Sequence, residues 1–95
     1  MTATARRQPV SGPLTFDSVP ELYRTSEAWF TAAGGLTLDL AGVTRADSAG
    51  LALMIEWLRR AQVAQCALSF VNIPDQVLTL VRVNGLQDVI LNHPA

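Results

Sequence analysis

The sequence predicts an α/β domain built on a mostly parallel sheet, and three observations predict it. Leu36-Thr37-Leu38-Asp39-Leu40 alternates apolar and polar residues, the period of a strand with one dry face. Apolar residues at helical spacing occupy the segments on either side of it. Strand and helix patterns then alternate along the chain, so each strand is joined to the next by a helix-length crossover, as parallel pairing requires.

The chain has 95 residues, which suits one domain over the whole length with a folded core from about residue 10 to 91. Residues up to about Gly12 form the first strand, anchored by Val10, and Pro9 marks it as short or at an edge. Gly12-Pro13 reads as a turn. The first helix opens with the capping-box pattern Ser18-Val19-Pro20-Glu21, and Val19, Leu22, Tyr23, Ser26, Phe30 and Ala33 share one face. Gly34-Gly35 ends it. After the Leu36–Leu40 strand, Ala41 to Asp47 reads as a loop, and a second helix runs from about Ser48 to Gln65. Ala67 to Val71 is the next strand. Pro74 starts a third helix that Asn84-Gly85 caps, and Leu86, Val89, Ile90 and Leu91 form a last apolar segment.

Composition excludes several classes of function. With 49% hydrophobic residues the chain builds a core without disulfides, and its one cysteine, Cys66, cannot form an internal bridge. Net charge is −1 and the arginines are scattered, so no basic stripe for nucleic acid exists. The longest apolar run, Leu51 to Ile55, is far short of a bilayer span, and the N-terminal residues carry no signal-peptide core. The expectation is a cytoplasmic protein that does not insert in a membrane and reaches one only through a partner.

Chemistry is equally sparse. Ser48 stands in Ala46-Asp47-Ser48-Ala49-Gly50, which is not a nucleophile elbow. His93 lies in the tail with nothing to fix it, and Cys66 reads as a packing residue. No phosphate loop, metal pattern or dinucleotide fingerprint is present. These residues predict a non-enzyme without cofactor or metal.

The informative stretch is the entry to the second helix. Asp47 or Ser48 can cap its free amides, and the small residues Ser48, Ala49 and Gly50 let another surface approach its positive end. The plainer alternative is a capped helix start and no more. Along the helix, Leu51, Met54, Ile55, Leu58 and Gln62 mark the side expected to face the sheet. Ala49, Leu53, Glu56, Trp57 and Arg60 mark the other, with Leu53 and Trp57 expected to stand partly exposed and, with Arg60, to anchor an interface. The alternative is that Trp57 folds over the edge of its own core.

These residues carry a resemblance. Leu38-Asp39-Leu40 followed by Asp47-Ser48-Ala49-Gly50-Leu51 resembles the signature of STAS domains, the fold of anti-sigma-factor antagonists and sulfate-transporter tails. Val10-Ser11-Gly12, Asn72-Ile73-Pro74-Asp75-Gln76 and Asn84-Gly85-Leu86 agree with it, and together they are more similar to the STAS subunit of the Mla phospholipid-transport ABC system. The resemblance implies a sheet of about four strands with helices packed on it. It implies an accessory subunit bound to the cytoplasmic ATPase of a phospholipid transporter that maintains outer-membrane lipid asymmetry. With the helix faces above, it gives the expected partner contacts as Ser48, Ala49, Gly50, Leu53, Trp57 and Arg60, with Asp47 shaping the loop. Phosphorylatable antagonists carry a hydroxyl immediately before the glycine, where this chain has Ala49, which counts against the alternative of a phosphorylation-controlled antagonist. STAS domains usually begin with one more strand, so the N-terminal edge here is open or pairs with another chain, as in a homodimer.

Overall fold

The computed structural model describes residues 6–31 and 34–91. Three strands, β1 (Arg6–Leu14), β2 (Gly35–Ala46) and β3 (Ala67–Val71), form one sheet in the order β1-β2-β3. Both pairings are parallel, with Arg6 opposite Leu36 and Gly35 opposite Ala67. The helices are α1 (Val19–Thr25), extended by a 3-10 turn over Ser26–Trp29, then α2 (Ser48–Ala64), α3 (Asp75–Val83) and α4 (Gln87–Ile90). The sheet has three strands among the described residues, one fewer than the family resemblance implies. Ala33 and His93 lie outside the described residues, as does the chain before Arg6.

The alternation in β2 does what it predicts: Leu36, Leu38 and Leu40 are buried. They meet Val10 and Leu14 of β1, Leu68 of β3, and a helical layer centred on α2, which touches α1, α3, α4 and all three strands. The other face of the sheet is polar. Arg7 donates to Asp39 at 2.8 Å, Asn72 donates to the same carboxylate at 3.1 Å, and Thr37 and Ser69 share a hydrogen bond. Alternate residues of a strand point to opposite faces, so one face is dry and the other satisfies its own polar groups.

Two expectations fail at the strand ends. The predicted turn at Gly12-Pro13 is strand: β1 continues to Leu14, with Gly12 at φ +82°. The predicted loop from Ala41 is also strand, because β2 runs on to Ala46. Two register shifts explain both errors. Between Pro9 and Ser11, and again between Gly12 and Leu14, β2 uses one more residue than β1. Each is a bulge, and bulges break the two-residue rhythm by which strands are read. Buried Val43 and Ala46 are therefore three apart. β1 is the edge strand of the sheet among the described residues, and its two prolines, Pro9 and Pro13, lack the amide donor that an added strand would use.

The first helix also departs from its pattern. Ser18 makes no side-chain cap; its hydroxyl donates to the Pro13 carbonyl at 2.6 Å and accepts from the Thr15 amide at 2.9 Å. The capping box is absent because Ser18 closes the preceding turn instead. The helix ends well before Gly34-Gly35, tightening into the 3-10 turn that places Trp29 near α2. By contrast, α3 and its Asn84-Gly85 end match the reading, with Gly85 at φ +70°.

Candidate functional site

Asp47 organises the entry to α2. One carboxylate oxygen accepts from the amides of Ala49 at 2.9 Å and Gly50 at 3.2 Å, satisfying two of the free donors of the helix start. The other accepts from the Phe16 amide at 3.0 Å, across to the segment between β1 and α1. The Phe16 hydrogen bond, above all, holds the Asp47 carboxyl below its ordinary range; the Gly50 and Ala49 amides and the charge of Arg45 add to this against a desolvation that raises it. Asp47 is thus the cap, as the sequence allowed, and it also ties two distant loops.

The residue before it is held as firmly. Gln76, in the first turn of α3, accepts from the Ala46 amide at 2.8 Å and donates to the Ala46 carbonyl at 3.0 Å. Its amide thereby extends the ladder at the end of β2 and sets where the Asp47 turn begins. Gly50 fixes the other side. A Cβ there would fall on the Leu14 carbonyl oxygen and 2.8 Å from the Leu14 Cβ, so α2 approaches β1 as closely as only glycine permits.

Ser48 is exposed, and its hydroxyl makes no hydrogen bond to the described residues. Beside it lies an open apolar groove of about 470 Å³ between α1 and the first half of α2, lined by Phe16, Val19, Pro20 and Tyr23 on one side and Ala49, Ala52, Leu53 and Glu56 on the other. Phe16 is 78% exposed and Tyr23 44%. An apolar groove rimmed by aromatic rings in water is the kind of surface that partners cover.

The expected exposure of Leu53 and Trp57 is overturned. Leu53 is 2% exposed and Trp57 0%. The faces of α2 are rotated from the reading: Gly50, Leu51, Leu53, Met54, Trp57, Leu58 and Ala61 are buried, while Ile55 and Gln62 turn outward. The reason is that α2 is covered on two sides. The sheet takes one, and α1 with its 3-10 turn takes the other, where Trp57 packs 5.8 Å from the Trp29 ring and its Nε1–H donates to the Ser26 hydroxyl at 2.9 Å. Arg60 is likewise engaged inside the molecule. It donates to the Tyr23 carbonyl at 3.0 Å, lies 4.1 Å over the Tyr23 ring and pairs with Glu56 at 3.5 Å. Arg59 also bonds Glu56, the first cause of that carboxyl lying below its ordinary range. Trp57 and Arg60 join α1 to α2, and Gly50 is buried beneath the turn. Of the predicted contacts, Ser48 and half-buried Ala49 face outward, and Leu53 shows only its groove side.

Sequence reasoning missed Phe16, Val19, Pro20 and Tyr23 as surface of this site. Phe16 is the readable omission: a lone large aromatic between the Gly12-Pro13 pair and the first helix belongs to neither apolar face.

A family model described as "Mlab, STAS domain" matches residues 4–92, nearly the whole chain. The chain belongs to this family of STAS domains, a class that includes anti-sigma-factor antagonists and transporter-associated domains. No curated protein matches it. Among the described residues no helix is long and apolar enough to cross a membrane, and no group of three or more His, Cys, Asp or Glu side chains is placed to hold a metal ion.

Proposed function

We propose that this STAS domain is a non-catalytic accessory subunit that binds the cytoplasmic ATPase of a bacterial phospholipid-transporting ABC complex and supports its assembly or activity. The protein is cytoplasmic on this reading, held at the inner membrane through its partner. The observation that carries it is the exposed Ser48 hydroxyl at the head of a capped helix, bordered by an apolar groove that presents Phe16 and Tyr23 to solvent. The choice of partner rests on the resemblance of Asp47-Ser48-Ala49-Gly50-Leu51 and Asn72-Ile73-Pro74-Asp75-Gln76 to the STAS subunit of the Mla phospholipid-transport system. Anchors in such a surface are the aromatic rings, with the small residues Ser48 and Ala49 allowing close approach.

A bulky or charged side chain at position 48 projects into that approach without touching the core. Ser48→Arg and Ser48→Glu are therefore expected to abolish co-purification with a co-expressed phospholipid-transport ABC ATPase from the same genome, while the thermal melt by circular dichroism stays unchanged. Normal co-purification of both variants overturns the reading.

One observation favours a second reading, a phosphorylation-controlled antagonist of an anti-sigma factor: Ser48 is exposed and its hydroxyl bonds none of the described residues. Ala49 counts against it. Incubation with an anti-sigma-factor kinase and ATP, followed by intact mass measurement, decides between them. A stoichiometric phosphate on Ser48 supports the antagonist; no mass change removes it.

A further inference from the structure

We propose that Asp47 is a positioning residue of the docking surface, holding the Phe16 backbone so that the exposed ring is presented beside Ser48. The proposal rests on the reading just given and names how that surface is prepared for its partner.

The segment from Pro13 to Val19 is closed mostly on itself. Ser18 Oγ bonds the Pro13 carbonyl and the Thr15 amide, and the Thr15 carbonyl accepts from the amides of Ser18 and Val19, both at 2.9 Å. Apart from the packing of Gly50 on Leu14, its hydrogen bonds to the entry of α2 run through one residue. The Asp47 amide donates to the Leu14 carbonyl at 3.1 Å, and the Asp47 carboxylate accepts from the Phe16 amide. Only the second reaches beyond the strand end to the residue that bears the ring.

This hold does not serve burial. The Phe16 ring is 78% exposed, so fixing its backbone removes almost no apolar surface from water. What it fixes is direction. A side chain already oriented loses less freedom when a partner covers it, and affinity rises accordingly. The same carboxylate caps Ala49 and Gly50, so Phe16, Ser48 and the groove wall formed by Ala49 are set by one group.

Asp47→Asn separates the two duties. The carboxamide oxygen still accepts from Ala49 and Gly50, but its NH2 then faces the Phe16 amide, donor against donor. The opposite rotamer sets the NH2 against two helix amides and is worse. In the free protein, amide hydrogen exchange at Phe16 is expected to quicken in Asp47→Asn while Ala49 and Gly50 hold their rates. Affinity for the ABC ATPase is expected to fall on the order of tenfold, and Phe16→Ala, which removes an exposed ring and leaves the melt unchanged, is expected to fall at least as far. In the Phe16→Ala background, Asp47→Asn then costs no further affinity.

An unchanged Phe16 exchange rate, or the same loss of affinity with and without the Phe16 ring, overturns the proposal. If the wild-type protein does not bind the ATPase at all, the partner reading fails instead, and the exchange rates still decide whether Asp47 holds the loop.

Discussion

Ser26 shows how one polar atom governs a core. It sits at the start of the 3-10 turn, fully buried, and its hydroxyl accepts from Trp57 Nε1 and, at 3.3 Å, from Arg60. Ser26→Ala leaves the buried indole N–H without a partner, and a donor stranded away from water costs about 1–3 kcal/mol. Urea denaturation is expected to show a loss of that size, with the melt still cooperative. Trp57→Ala removes the largest fully buried side chain and is expected to cost about 3–5 kcal/mol, enough to unfold much of the protein at moderate temperature. Helical spacing did place Ser26 on the apolar face of the first helix. It did not place Trp57 opposite, since nothing in spacing couples two side chains 31 positions apart. Asp47 as a cap was legible for the reverse reason, its helix partners being two and three residues away. Its bond to Phe16 was not.

At the level of elements, α2 was found at nearly its true length, and Leu51, Met54 and Leu58 are buried as expected, but its second buried side, with Leu53 and Trp57, was taken for surface. Periodicity reports that a helix has an apolar stripe; it does not report how many layers press on it, and α2 is pressed by the sheet and by α1. Glycine, by contrast, speaks through what cannot replace it. Gly50→Ala must push the start of α2 off the Leu14 backbone, and overpacking of this kind costs about 1–3 kcal/mol. The expected outcome is a lowered melting temperature with changed tryptophan emission, because Trp57 rides on the displaced helix. Wild-type stability in Gly50→Ala would mean that the two elements have slack between them. The overlong β2 was illegible for a different reason: its two bulges replace alternation with a three-residue step from Leu40 to Val43 to Ala46, and a reader of twos sees a loop.

For the molecule as a whole, acid is the informative stress. Asp39 and Asp47 both lie below the ordinary value of 3.8, Asp39 chiefly through the Ala41 amide, then Asn72 and Arg7. A carboxyl whose folded value is depressed stabilises the fold fully above its unfolded value, and that share is lost as pH falls through the folded value. Melting temperature is therefore expected to hold from neutral pH down to about 4 and to drop below it. Asp39→Asn should flatten the drop, measured by thermal melts across that range. The fold class was legible at this scale because order and spacing of elements suffice for it, and the strand count was not, because a family's usual opening strand has no counterpart among the described residues. The all-parallel order also bears on how the chain assembles. Paired strand residues lie about thirty positions apart, Arg6 at Leu36 and Gly35 at Ala67, and among the described residues no hairpin starts the sheet. Among the described residues β1 meets its sheet partner only once β2 has emerged, and the leucines of β2 gain their cover only when α2 has left the ribosome, so this domain comes together late and nearly at once.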